Sequence, residues 1–286
     1  ATVRSKTREG ARRPGSETKP THSAAPGVAA TEARELLSNE LNVLTYNIHK
    51  GFSMGGRQFV LHRMRDALLH THADVFFLQE AQGHHARHAR SQAAWPSHSQ
   101  FEFLADSVWH HHAYGRNAIY DEGHHGNAIL SRYPFVEWEN IEVSPYPFAA
   151  SRSLLHGVIE LPGSKRRLHL VCVHFGFFGI ERRPQIRRLC ERIEAEVPHH
   201  EPLIVAGDFN DWSGRAERGF NHELELAEVF RTLHGRHART WPALAPVLPM
   251  DRIYSRGVRP LAAERLGRKP WRALSDHTPL QARFRL

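Results

Sequence analysis

Hydrophobic positions along this chain fall into two rhythms. Short apolar or alternating runs recur from residue 41 to the end, and two longer stretches repeat at helical spacing. The runs predict strands over 41–47, 74–80, 126–131, 154–161, 168–173, 203–206, 250–254 and 281–286. Val60, Leu61, Met64, Ala67 and Leu68 predict an amphipathic helix over about 57–71. Ile186, Leu189, Cys190, Ile193 and Val197 predict a second, with Pro184 tolerated in its first turn. Pro162-Gly163-Ser164-Lys165 reads as the turn of a strand pair, and Tyr133-Pro134 as a strand stop. Over 84–113 the pattern gives only a short helix at 101–109 within a surface loop; the stretch 222–234 reads as helical or mixed. Residues 1–38 show no sustained periodicity and are rich in Arg, Ser, Thr, Pro and Ala, so they are expected to be a flexible basic arm. Residues 39–286 are expected to form one layered domain of α+β or α/β type, since neither a repeat nor a second linker interrupts them.

The strand ends carry the chemistry. Leu203-Ile204-Val205-Ala206 is a buried run broken by Gly207 and followed by Asp208 and Asn210. Two apart, these side chains leave an extended chain on one face, where a carboxylate and a carboxamide can grip water, metal or phosphate. Alone, the pair reads equally well as an Asx turn after a core strand. The other runs, however, also end in polar residues: Asn47, Glu80, His174, and Asp276 with His277. Five endings of this kind predict that the strands converge on one site.

Composition changes this picture little. Of 286 residues, 41% are hydrophobic and 24% charged, ordinary for a soluble globular chain. The net charge is +8, of which seven Lys or Arg against four Glu place +3 in residues 1–38 and leave +5 for the body. That bias favours acidic or phosphate-bearing partners without naming one. Cys172 and Cys190 are expected to be small buried apolar residues, and two cysteines make reducing cytoplasm the expected compartment. No apolar run approaches a bilayer span. The chain starts without an apolar signal core and without Met, so processing before Ala1 stays open. The histidines, among them His84, His85, His88, His110, His111, His112, His124 and His125, lack Cys or Glu partners at ligand spacing and are read mainly as solvated.

The ordered blocks Thr45-Tyr46-Asn47-Ile48, Leu78-Gln79-Glu80, Gly126-Asn127-Ala128-Ile129-Leu130-Ser131, Val173-His174-Phe175, Gly207-Asp208-Phe209-Asn210, Met250-Asp251-Arg252-Ile253 and Ser275-Asp276-His277 resemble the endonuclease/exonuclease/phosphatase superfamily. Its poorly characterised bacterial members are the most similar. The resemblance implies a DNase I-like four-layer α/β/β/α sandwich of two mostly antiparallel sheets, with the site at one end. It implies a Mg²⁺-dependent phosphodiester hydrolase, with Mn²⁺ as a substitute and nuclease activity as the leading form. A phospholipid headgroup phosphodiesterase or a small-ester phosphomonoesterase is the alternative, and a non-catalytic scaffold for a phosphorylated partner a remote one.

By the same resemblance, Glu80 holds the metal, Asn47 orients it or the neighbouring carboxylate, and Asp276 adds a carboxylate. Asp208 activates water or protonates the leaving group, and Asn210 and His174 hydrogen-bond phosphate oxygens. His277 acts as base or charge-stabilising donor, with Asp251 holding its ring; Asp251-Arg252 as a surface ion pair is the competing reading. Asn127 and Arg152 are further phosphate candidates, each as readily structural. Trp95, Trp109, Trp212, Trp241 and Arg239 could stack on bases, but Trp rings also fill cores and anchor at membrane interfaces. No lipid-docking hairpin is recognisable, and a monomer without a protein partner is expected.

Overall fold

The computed structural model describes residues 39–106, 109–146, 151–161, 166–214, 220 and 224–286; the expected arm and the turn at 162–165 lie outside them. Ser38–Leu286 forms one compact unit. Its strands are β1 (Glu40–Asn47), β2 (Val75–His85), β3 (His111–Tyr120), β4 (Gly123–Ser131), β5 (Phe135–Glu142), β6 (Ser153–Glu160), β7 (Arg167–His174), β8 (Leu203–Asp208), β9 (Ala227–Glu228), β10 (Asp251–Arg256), β11 (Arg259–Arg265) and β12 (Leu280–Arg285). The helices are α1 (Leu61–Leu69), α2 (Ala86–Ser91), α3 (Gln100–Ala105), α4 (Gly179–Glu196) and α5 (Val229–His234).

Two six-stranded sheets result, ordered β11-β12-β1-β2-β4-β3 and β5-β6-β7-β8-β10-β9. Pairing is antiparallel except for β1 with β2 and β7 with β8. The layering follows from alternation in strands that are buried on both faces. Val43, Phe77, Leu170, Cys172, Ile204 and Ala206 pack between the sheets. Their neighbours Leu44, Phe76 and Leu78 meet Leu61, Met64 and Leu68 of α1, together with Trp109. Val171, Val173, Leu203 and Val205 meet Leu189, Cys190 and Ile193 of α4. This is the α/β/β/α sandwich. Both cysteines are free and buried, as expected.

The strands that the pattern missed are β3, β5, β9 and β11, which are the four sheet edges. An edge strand buries little: all of β5 is exposed or half-buried, so no apolar alternation marks it. Other departures are local. Residues 84–91 are not loop but the end of β2 and helix α2. The short helix near 101 is α3, started by a Ser99–Glu102 capping box. Helix α1 is shorter than 57–71: Val60, at φ −127°, is its non-helical N-cap, and His72 turns left-handed at φ +51° just past its end. Helix α4 starts at Gly179, which places Pro184 in its second turn rather than its first.

Gly207 shows how tightly β7 and β8 approach. Its φ is +149°, and an added Cβ would lie 2.0 Å from the Val173 carbonyl oxygen. Gly207→Ala should therefore destabilise the fold by at least about 2 kcal/mol. Urea unfolding measures this, and an unchanged midpoint would contradict the close approach.

Candidate active site

The C-terminal ends of β1, β7 and β8 meet the N-terminal ends of their antiparallel neighbours β12 and β10 at one end of the sandwich. Asp208 is the point of convergence. It is 1% exposed, and one carboxylate oxygen accepts from the Asn47 side-chain amide at 3.1 Å. The other accepts from the Asn210 backbone N–H at 2.9 Å. Two histidine rings face it: His174 Nε2 stands 3.6 Å from Asp208 Oδ2, and His277 Nε2 stands 3.8 Å from it. Neither distance is a hydrogen bond.

His277 carries its own carboxylate. Its Nδ1 lies 2.8 Å from Asp251 Oδ2, which fixes Nδ1–H toward Asp251 and Nε2 toward Asp208. Asp251 is not a surface group. It is 2% exposed and the following Arg252 1%, with the Arg252 guanidinium donating to the carbonyls of Pro249, Asp251 and Asp211.

Burial and charge divide the protonation states. Burial disfavours the His277 cation, but Asp251, Asp208 and Asp276 outweigh it and raise its pKa to about 10. Burial raises Asp208 to about 7, with Asp251 adding to this and His277 opposing it. His174 is driven well below its ordinary value by burial, then by Arg152, His125 and His277. At neutral pH the cluster thus holds a charged His277, a neutral His174 and an Asp208 close to its own titration point.

Glu80 departs from the expectation of a strand exit. It sits within β2 at φ +59°, where the pairing register with β4 shifts between Leu78 and Ala81. A bulge of this kind turns a side chain out of the alternation, here toward the strand ends. Glu80 Oε1 lies 3.4 Å from the Asn47 amide nitrogen, and Oε2 3.7 Å from Lys50 Nζ. Asp276 Oδ1 lies 3.3 Å from Ser275 Oγ and 3.8 Å from His49 Nδ1; its Oδ2 lies 3.4 Å from Trp241 Nε1. These contacts are long, so both carboxylates keep lone pairs available. With side chains 19% and 27% exposed, they fit a hard divalent cation that retains several waters.

Asn47 fits that cation less well. Its oxygen already accepts from the His49 N–H at 3.0 Å, which turns its amide nitrogen toward Glu80 and Asp208. In this arrangement its amide nitrogen lies within 3.4 Å of both carboxylates. Asp208, Asp251 and His277 also bring three ligand atoms within 4.8 Å of one another, a buried cluster of a size that could hold a metal. Within it His277 Nδ1 and Asp251 Oδ2 are paired with each other at 2.8 Å.

The remaining candidates separate. Asn210 is left-handed at φ +50° rather than extended, so the Asx turn forms as well, and its side-chain amide donates to the Phe175 carbonyl at 2.9 Å. Asn127 is fully buried, and its amide donates to the Ser153 and Cys172 carbonyls, joining the two sheets rather than opening to the site. Arg152 lies within electrostatic reach of Glu80 and Asp208, and its Nε is buried without a partner.

Three residues at the site carried no weight in the sequence. Lys50 follows Asn47 by three at φ +57° and faces Glu80. Ser275 donates to the Asn47 carbonyl at 2.7 Å and so ties β1 to the Asp276-His277 segment. His125 is not a solvated histidine: burial, then Lys50, lower it to about 4, with Glu80 opposing. Its alternation with Asn127 on β4 was the available signal. His125 is half-buried, and His85, His156 and His169 are buried. A cleft of about 640 Å³ lined by Trp95, Phe101, Tyr114 and His124 shares no residue with this site.

Facing mixed sheets clad in helices, with carboxylates and histidines gathered where strands of both sheets end, define the DNase I-like class of sandwich. The chain belongs to the endonuclease/exonuclease/phosphatase family, whose model matches residues 44–277. It is 45% identical to the uncharacterized protein YbhP of Escherichia coli K12 over 244 residues, covering 85% of this chain and 96% of that one. The fold is similar to an endonuclease/exonuclease/phosphatase structure from Beutenbergia cavernae, with a TM-score of 0.68 and 18% identity over 86% of this chain and 72% of that one. It is also similar to D. rerio TDP2 in complex with a single-strand DNA product, with a TM-score of 0.65 and 20% identity over 86% and 99%.

The His277–Asp251 pair sets the pH behaviour of the metal-free protein. A raised histidine pKa contributes stability that is complete below about 6.5 and is lost as pH rises through about 10. The raised Asp208 value, opposed by the attraction of His277, makes stability fall as pH rises from 3.8 to about 7. The His277 ring should therefore titrate near 10 by NMR in wild type, and far lower in Asp251→Asn. A wild-type midpoint near 6.5 would refute the buried ion pair.

Proposed function

We propose that this protein is a Mg²⁺-dependent phosphodiester hydrolase. The observation that supports this best is the carboxylate Asp208 facing a charged His277 and joined to Glu80 through the Asn47 amide nitrogen. A divalent cation at Glu80 and Asp276 would neutralise phosphate charge. Asp208, ionised near its titration point, takes a proton from the attacking water as oxygen bonds to phosphorus and the ester oxygen departs. His277, charged and aimed by Asp251, donates from Nε2 to the developing charge; a histidine protonated to about 10 serves as donor rather than base. Neutral His174 and the Arg152 guanidinium would hold non-bridging oxygens.

Nucleic acid is the leading substrate class, favoured by the basic body and by the shared fold of a neighbour solved with single-strand DNA product. A phospholipid headgroup is the second reading, favoured by the apolar rim described below. No helix among the described residues is long and apolar enough to cross a membrane.

Hydrolysis of bis-p-nitrophenyl phosphate with Mg²⁺ or Mn²⁺, against EDTA, tests the reading. Turnover should be metal-dependent and abolished in Glu80→Ala, with Asp208→Ala and His277→Ala each slower by about 10²–10⁴-fold. Metal-independent turnover that survives Glu80→Ala would sink the mechanism, and cleavage of the monoester alone would replace it with a phosphatase. A steep loss of oligonucleotide binding with salt would favour nucleic acid.

A further inference from the structure

The segment between β7 and α4 does something the catalytic residues do not require. Directly after His174-Phe175-Gly176 the chain presents Phe177, Phe178 and Ile180 to solvent, 50%, 64% and 70% exposed, and Trp212 beside them is 41% exposed. Large apolar side chains scattered singly on a surface need no explanation, but four gathered where two catalytic strands leave the sheet do.

The patch is built rigidly. Arg182 is 7% exposed, and its guanidinium donates to the Phe177 carbonyl at 2.7 Å and the Gly176 carbonyl at 3.3 Å. The same group lies 5.2 Å from the Trp212 ring and 3.8 Å from Asp211. The Gly176 N–H donates to the Gln185 side chain at 2.7 Å. A buried cation thus braces an apolar tip from beneath, so the exposure is a fixed feature of the fold.

Two features identify the occupant. The rings form no flat ledge: Phe177 meets Phe178 at 87° and Trp212 at 40°. The most exposed member, Ile180, has no π-face, so the tip is poorly shaped for stacking bases. Along α4, moreover, Arg183 and Arg187 follow Ile180 at helical spacing and are exposed, Arg187 pairing with the exposed Glu191 at 3.5 Å. An apolar tip backed by arginines on one face matches the apolar interior and anionic headgroups of a bilayer surface.

We propose that Phe177, Phe178, Ile180 and Trp212 dock this protein on an anionic phospholipid bilayer, with the candidate active site toward the headgroups. Docking stands apart from which phosphodiester is cleaved; only the orientation rests on the hydrolase reading.

Co-sedimentation of the full chain in EDTA with vesicles of phosphatidylcholine, alone or mixed with phosphatidylglycerol, tests the proposal without turnover. The wild type should pellet with the anionic vesicles, and Phe178→Ser/Ile180→Ser should partition about ten-fold less or weaker still. That variant should keep wild-type turnover of bis-p-nitrophenyl phosphate. Brominated lipid should quench tryptophan fluorescence in the wild type and less in Trp212→Phe, a readout that does not depend on the double variant folding. Wild type remaining in the supernatant, or a double variant that pellets equally well, would overturn the proposal. So would loss of oligothymidylate binding in the variant with no vesicle binding in the wild type, which would make the tip a nucleic-acid rim.

Discussion

A buried carboxylate held by hydrogen bonds and histidines, with no lysine or arginine ion pair to it among the described residues, is the constraint around which this molecule is arranged. Burial of an anion is costly unless hydrogen bonds or opposite charge offset it. Asp208 receives the Asn47 amide from one sheet, the Asn210 N–H from its own turn, and the field of His277. Each partner is fixed in turn: Asn47 by the His49 N–H, His277 by Asp251, and the β1 end by Ser275. Because the partners come from both sheets, the carboxylate can only be satisfied once the sandwich has closed. Closure then leaves Asp208 near its titration point beside a histidine that stays charged.

Backbone strain is placed where it serves this arrangement. His49, Lys50, Glu80 and Asn210 are non-glycine residues at positive φ, and all four lie at the site. Regular strands would send alternate side chains into the apolar layers. The Glu80 bulge and the Asn210 turn break that rule and bring polar groups to the strand ends instead. Gly207 permits the remaining close approach, its φ of +149° and the nearby Val173 carbonyl leaving no room for a side chain.

The rim of the site is chemically asymmetric. On the Glu80 side stand Lys50 and the half-buried His125. On the His174 side the chain turns outward into Phe177, Phe178 and Ile180, braced by Arg182. Charge is concentrated at the floor and apolar surface at one lip, a division suited to a ligand with an anionic centre and an apolar surround.

The sequence alone determined the central strands, both amphipathic helices and the polar endings Asn47, His174 and Asp208 of β1, β7 and β8. Each rests on local alternation or spacing that burial enforces within a few residues. It did not determine the edge strands β3, β5, β9 and β11, because an edge is defined by what pairs beside it rather than by its own pattern. Nor could it separate Asn127 from Asn47: each borders an apolar run, Asn127 at its start and Asn47 at its end, yet only the closed sandwich sends one amide to Asp208 and the other to the Ser153 and Cys172 carbonyls. The protonation states of Asp208, His174 and His277 were likewise decided by tertiary structure. They depend on desolvation and on charges from distant strands, neither of which exists until both sheets are in place.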